Sequence, residues 1–110
     1  MTKTDIKKSL GGIPGWSYDA RRKAIVTQVR CKDFMVAIRL IGKIVLLAER
    51  MDHHPDLHLT RYRRLKIVIT THSAGGVTQK DFLLAKKIWE FPPGPSGPRS
   101  SQPLALKSLN

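Results

Sequence analysis

All four histidines of this chain lie within twenty consecutive positions, and three of them belong to two short motifs. His53 and His54 precede Pro55, and His72 follows Thr71 at the start of a glycine-containing segment. Imidazole is the side chain that transfers protons most readily near neutral pH. A cluster of this kind suggests a single site for general acid–base chemistry.

The two motifs are expected to present their histidines differently. A residue before proline is driven toward extended backbone, so the side chains of His53 and His54 should diverge and only one should face a pocket. His72 comes directly after a predicted strand, where ligand contacts are common. The backbone of Gly75 and Gly76 offers close approach to a flat ligand. If the strand end lies beside the His-His pair, two or three proton-transfer groups meet there.

Spacing alone is also compatible with histidines that take no part in proton transfer. Adjacent histidines can simply end a helix, where imidazolium favours the negative end of the dipole. Three histidines can also bind zinc. However, no His-Glu-x-x-His motif is present and Pro55 separates His54 from His58, so we predict no metal. His58 is predicted to be a solvent-facing strand residue.

Two carboxylates are candidates for supporting this site. Asp81 lies three residues after Thr78, a capping-box spacing that accounts for it as a helix-start residue. The same position lies near the loop that follows His72, so a supporting role is compatible with the cap. Glu49 is most simply a helix-surface carboxylate, although Glu49 and Asp52 lie close enough to His53 to bias its protonation.

The elements that must position these residues form one small domain. An alternating stretch predicts a strand, and Asp33 is a good N-cap for a long apolar-periodic helix. The predicted elements are strands at 16–18, 24–31, 57–62 and 65–71, and helices over 33–51 and from Thr78 onward. This order indicates an α+β domain with helices on one face of an antiparallel sheet. Residues 1–15 are predicted to be an irregular or weakly helical lead-in, and residues 92–110 a disordered Pro/Gly/Ser-rich tail, which leaves 1–91 as the domain.

Composition limits the class of protein and its partners. The 110 residues carry a net charge of +12, which attracts anions without identifying one. The basic clusters are more typical of solvated surface than of a nucleic-acid site, so nucleic acid is the less favoured partner. The single cysteine, Cys31, fits a reducing compartment, and we expect it to be packed. No secretory signal or membrane span is predicted, which favours a cytoplasmic protein.

Taken together, the motifs resemble those of the pterin-4a-carbinolamine dehydratases, also called 4a-hydroxytetrahydrobiopterin dehydratases. The resemblance covers residues 16–89 approximately, with the motifs in the family's order and near its spacing. The matching positions are Gly15-Trp16, Lys32-Asp33-Phe34, Ala48-Glu49, His53-His54-Pro55, Tyr62, Thr71-His72, Gly75-Gly76 and Asp81.

The resemblance implies a fold, an assembly and a reaction. The fold would be a four-stranded antiparallel sheet with two or three helices on one face, assembled as a homodimer or homotetramer. The reaction would convert a 4a-hydroxytetrahydropterin into a quinonoid dihydropterin and water, without metal or cofactor, and so regenerate the pterin cofactor of aromatic amino acid hydroxylases. His53 and His72 would be the main acid–base groups and His54 would bind and orient substrate. The implied pterin contacts also include Pro55, Thr71, Ser73 and Ala74.

Departures from the family pattern bear on substrate fit and oligomer contacts, and two other functions stay open, one of them favoured by the apolar helix 33–51. The interval between His53 and His72 is one residue longer than in many animal members, and Ser73 replaces an acidic residue. One alternative is a binding module, because some members act as dimerisation cofactors of a homeodomain transcription factor. The other is a dehydratase-like protein that acts on another pterin, such as an intermediate of the molybdopterin pathway.

Overall fold

The computed structural model of the chain describes residues 1–91 and the backbone of residues 102 and 103. The predicted tail, 92–110, otherwise lies outside the described residues. The elements in chain order are α1 (Lys3–Leu10), β1 (Ser17–Asp19), β2 (Ala24–Arg30), α2 (Phe34–Met51), β3 (Asp56–Thr60), β4 (Arg64–Ile69), a 3₁₀ turn (His72–Ala74), α3 (Gln79–Trp89) and β5 (Gln102–Pro103).

The four main strands form one antiparallel sheet in the order β1-β2-β4-β3. The two-residue strand β5 pairs with the end of β2. Every second residue of the central strands is buried on the side of the helices. On β2 and β4 the apolar ones join a single core with the helices, namely Ile25, Val29, Leu65, Ile67 and Ile69, and Thr27 is buried between the first two. The predicted α+β fold with its helices on one face of a four-stranded antiparallel sheet is therefore confirmed.

Helix α2 begins where the sequence predicts, but its apolar residues do not form one stripe. Asp33 is the N-cap, and its Oδ1 accepts a hydrogen bond from the Val36 N–H at 2.9 Å. The buried face of the helix consists of Val36, Ala37, Leu40, Ile44 and Ala48. Phe34, Ile38 and Val45, whose spacing predicts the same stripe, are instead exposed. The helix has two apolar faces, because its apolar residues spread over more of the circumference than one sheet can cover.

The N-terminal segment is more regular than its glycines and proline suggested. Residues 3–10 form α1, whose N-cap Thr2 and first-turn Asp5 hydrogen-bond each other's backbone N–H groups as a capping box. Ile6 turns inward and joins the core. The helix ends at Gly11, before the turns that lead to β1. No helix among the described residues is long and apolar enough to cross a membrane.

Candidate active site

The pairing of β3 with β4 brings the two histidine motifs together. Asp56 lies opposite Val68 in this antiparallel pair. His53 precedes this pairing and Thr71 follows it, and the side chains of both bond the carboxylate of Asp81. The segment between α2 and β3 therefore meets the segment between β4 and α3 at Asp81, as the His-His-Pro and Thr-His motifs require if they form one site.

The end of α2 fixes the backbone of His53. Asp52 adopts the left-handed conformation, with φ 50° and ψ 45°. Its N–H bonds the Glu49 carbonyl at 3.3 Å, and the His53 N–H bonds the Ala48 carbonyl at 3.1 Å. These two bonds form a Schellman motif, the usual helix ending, here with aspartate where glycine is commonest. The backbone of His53 is therefore fixed by a hydrogen bond to the end of the helix.

The side chain of His53 is bonded to Asp81 of α3. The His53 Nε2 lies 2.6 Å from Asp81 Oδ1. The imidazole is 11% exposed and the carboxylate is completely buried. Since buried carboxylates are rare unless they are paired and hydrogen-bonded, this contact accounts for the presence of an acidic residue in the core.

Asp81 Oδ2 is held by two further donors. It accepts a hydrogen bond from the Thr71 hydroxyl at 2.9 Å and another from the Thr78 N–H at 2.7 Å. Because the Thr71 hydroxyl donates its proton to the carboxylate, the Thr78 hydroxyl, 3.0 Å away, must donate to Thr71. Asp81 thus caps α3, as its spacing predicted, and also joins His53 to the segment that carries His72.

This network sets the tautomer of the His53 ring. An ionised carboxylate only accepts hydrogen bonds, so the nitrogen facing Asp81 must carry a proton. The other nitrogen, Nδ1, is then the one left for a substrate. The arrangement follows a general pattern. A carboxylate orients an imidazole, and it stabilises the positive charge of the imidazolium that forms when the ring takes up a proton.

Glu49 contacts the exposed histidine of the His-His-Pro motif. Its Oε2 lies 2.5 Å from His54 Nε2, and both side chains are well exposed, at 68% and 58%. Asp52 serves as the left-handed residue after α2. The carboxylate bonded to His53 is Asp81, whereas Glu49 pairs with His54. An influence of Glu49 and Asp52 on the protonation of His53 stays a prediction. An ion pair as exposed as that of Glu49 and His54 contributes little to stability.

The Thr71-His72 motif lies at the start of the 3₁₀ turn that follows β4. Two bonds between Thr71 and Gly76 close this turn, one from each N–H to the other's carbonyl, at 3.1 and 3.3 Å. Gly75 has φ 71°, where glycine carries no steric cost. His72, Ser73 and Ala74 are all exposed within it. No hydrogen bond joins the His72 side chain to another described residue, so the structure connects it to His53 only through Thr71 and Asp81.

Thr78 is the member of the network that sequence reasoning missed as a site residue. Its hydroxyl contacts Thr71 and also accepts a hydrogen bond from the Lys80 N–H at 3.3 Å. The capping-box spacing of Thr78 and Asp81 was the available signal, but for Thr78 that spacing indicates only a helix start. Among the described residues, no group of three His, Cys, Asp or Glu side chains is placed to hold a metal ion.

Comparisons with known proteins point to one family. The family model described as pterin 4 alpha carbinolamine dehydratase matches residues 1–91. Two curated relatives share the name "Putative pterin-4-alpha-carbinolamine dehydratase". The one from Sulfolobus acidocaldarius is 43% identical over 80% of this chain and 93% of its own length. The one from Chloroflexus aggregans is 40% identical over 83% of this chain and 95% of its own.

A solved structure shares the fold. It is the crystal structure of a transcriptional coactivator/pterin dehydratase from Brucella melitensis, with a TM-score of 0.75 and 33% sequence identity. The match covers 79% of this chain and 92% of that chain. The likeness in fold and the sequence identity therefore extend over nearly the whole length of the relatives.

Proposed function

This chain belongs to the pterin 4 alpha carbinolamine dehydratase family, and from that premise we propose that it dehydrates a 4a-hydroxytetrahydropterin to the quinonoid dihydropterin. The observation that carries the proposal is the 2.6 Å bond from His53 to the fully buried Asp81. It gives an imidazole of fixed tautomer beside the turn that bears a second imidazole, His72. In a cell this reaction would regenerate a tetrahydropterin cofactor, and we place it in the cytoplasm.

The reaction needs two proton transfers, and the site offers two imidazoles for them. One donates a proton to the 4a-oxygen as the C4a–O bond breaks and water leaves. The other takes a proton from a ring nitrogen, whose electron pair forms the new double bond. We assign His53, through Nδ1, and His72 to this pair. Each well-placed transfer contributes roughly 10²–10⁴-fold to the rate, so two suffice without metal or cofactor.

The remaining site residues would bind rather than react. His54 is exposed at the rim and paired with Glu49, which suits it to orient the pterin through its second ring nitrogen. Pro55 is half-buried between the histidines and β3. Ser73 and Ala74 are exposed beside His72, where their backbone and that of Thr71 would contact the flat ring.

Histidine substitutions test the assignment, with a matched control on the same protein. His53→Ala/His72→Ala should abolish accelerated dehydration in stopped-flow absorbance. His58→Ala should leave the rate unchanged, because His58 is exposed on β3 and pairs opposite Lys66. Full activity in the folded double variant would remove the assignment, and equal losses in both variants would mean that the effect is not specific to the site.

The exposed apolar face of α2 supports self-association and offers a second candidate function. Among the described residues, this face contains Phe34, Met35, Ile38, Val45 and Leu46, which are 42–62% exposed. Exposed apolar patches on a helix of this kind commonly mark protein interfaces. We propose that copies of the chain pair through it as a homodimer or homotetramer. A binding function would use the same face for another protein, and it would persist in the His53→Ala/His72→Ala variant.

A further inference from the structure

The open face of the sheet, opposite the helices, is basic at one end. Arg30 on β2 and Arg64 on β4 are directly opposite each other in the register, and both are exposed. Lys66 lies two residues along β4 on the same face. The adjoining turn between β3 and β4 adds Arg61 and Tyr62, both exposed. Arg63 is not counted with them, because its guanidinium donates to the Lys32 carbonyl at 3.4 Å, just before α2. We call this surface the basic face; it consists of Arg30, Arg64, Lys66, Arg61 and Tyr62.

Within the part of the chain that the structure describes, no ion pair neutralises the basic face. The ion pairs among the described residues are Arg22–Asp19, His53–Asp81 and His54–Glu49, and none includes a residue of this face. Like charges placed directly opposite each other on neighbouring strands repel. Arg30 and Arg64 are therefore in an unfavourable arrangement, which an anion bound across the two strands would relieve.

The turn at the edge of this face holds bulky residues in an unfavourable backbone conformation. Arg61 and Tyr62 both have positive φ, 48° and 57°, where glycine or asparagine is usual. Strain of this kind concentrates at functional sites. Here Tyr62 is 58% exposed, and the Arg63 guanidinium lies 5.6 Å from the centre of its ring. The backbone of Arg63 is also fixed, because its carbonyl accepts a hydrogen bond from the Cys31 N–H at 2.7 Å.

We propose that the basic face binds single-stranded nucleic acid without strong sequence preference. Cations that follow the phosphates and an exposed aromatic ring on which a base stacks are the two elements of such sites. The exposed ring favours unpaired bases, because a base within a duplex is already stacked. An anionic membrane fits less well, because the apolar residues at the centre of the open face, Val26 and Val68, are themselves largely covered. This surface is separate from the histidine site.

Fluorescence anisotropy with a labelled oligouridylate of about 12 nucleotides tests the proposal, a length within usual site sizes. We expect a Kd of roughly 10⁻⁴–10⁻⁶ M at physiological salt and tighter binding at the lower concentration of about 50 mM. Three or four phosphate contacts at about 0.7 each give a slope of log K against log salt of about −2 to −3. Arg30→Gln/Arg64→Gln should reduce that slope by about 1.4 and should not lower the melting temperature, since it removes a repulsion.

Two further variants separate this proposal from a general effect of charge. Lys86→Gln/Lys87→Gln removes the same charge from the exposed side of α3, which packs on the other face of the sheet, and should leave the slope unchanged. Tyr62→Asn, which keeps a residue tolerant of positive φ, should weaken binding roughly 5- to 150-fold at an unchanged slope.

Three results would overturn the proposal. The first is no binding by the wild type at the lower salt concentration. The second is an equal loss of binding in the two charge variants, which would indicate attraction by net charge alone. The third is binding to phosphatidylserine vesicles as strong as to the oligonucleotide, with no effect of Tyr62→Asn in either case. That result would identify an anionic surface and not a nucleic acid as the partner.

Discussion

The substitution Asp81→Asn examines the link between the buried carboxylate and the histidine it orients. Asparagine has nearly the same shape, and its oxygen can still accept from Thr71 and from the Thr78 N–H. Its amino group would then face His53 Nε2 and donate, where the carboxylate accepts at 2.6 Å. The histidine must therefore move its proton to Nδ1, the nitrogen we assign to the substrate.

The magnitudes follow from the bonds that change. A hydrogen bond to a charged group contributes about 1.5–3 kcal/mol, and the neutral one that replaces it about 0.5–1.5 kcal/mol. Because the other two bonds to Asp81 also lose their charge, we expect the free energy of unfolding to fall by about 1–3 kcal/mol. A general acid–base group in the wrong tautomer loses its contribution, so turnover should fall by roughly 10²–10⁴-fold.

The control is Asp33→Ala, which removes the N-cap of α2 at the end of that helix away from His53 and leaves the bond between Asp81 and His53. Loss of the N-cap carboxylate costs about 0.5–2 kcal/mol, comparable with Asp81→Asn. Urea denaturation gives the two stabilities, stopped-flow absorbance gives the two rates, and ¹⁵N NMR of the imidazole gives the tautomer. Asp33→Ala should retain near wild-type turnover. Full activity in Asp81→Asn, or equal losses in both variants, would refute the orienting role of Asp81.

Three further predictions concern the rim, the backbone and the interface. His54→Ala should raise the KM for the pterin more than it lowers kcat, since His54 is proposed to bind and not to transfer protons; a fall in kcat alone would contradict that division. Asp52→Gly should raise the free energy of unfolding by about 0.5–1 kcal/mol in urea denaturation, because glycine relieves the left-handed conformation while the Schellman bonds remain. A loss of stability there would mean that the Asp52 side chain has a role of its own. Val45→Glu should convert oligomers to monomers in analytical ultracentrifugation, with Lys87→Gln on α3 as a control for the same change of one charge unit, and an unchanged molecular mass would exclude the exposed face of α2 as the interface.

Much of the fold follows from local pattern. Alternation along β2 and β4, the N-cap Asp33 and the capping box at Thr78 each act over a few residues, so the sequence alone predicts them. The two apolar faces of α2 could not be separated in this way. Periodicity identifies apolar positions, but which of them meet the sheet depends on how the helix is rotated against it. The rotation is known only from the structure, in which Leu40 and Ala48 are among the buried residues of the helix.

The sequence could propose the members of the candidate site but not the contacts among them. The histidines and Asp81 stood out by type and spacing, and the resemblance to a family placed them together. Proximity in sequence suggested only that Glu49 and Asp52 bias the protonation of His53. The structure bonds His53 to Asp81, 28 positions away, because the Schellman ending of α2 turns His53 toward α3. Long-range pairings of this kind depend on register and helix packing, which no local pattern contains.

The central claim is that this chain accelerates dehydration through His53 and His72. The direct measurement is the stopped-flow rate of 4a-hydroxytetrahydropterin dehydration at neutral pH, compared with the spontaneous rate and with the rate for His72→Ala. We predict acceleration by the wild type and a loss of roughly 10²–10⁴-fold in the variant. A folded wild-type protein that leaves the spontaneous rate unchanged would contradict the claim and would direct attention to another pterin or to a binding function.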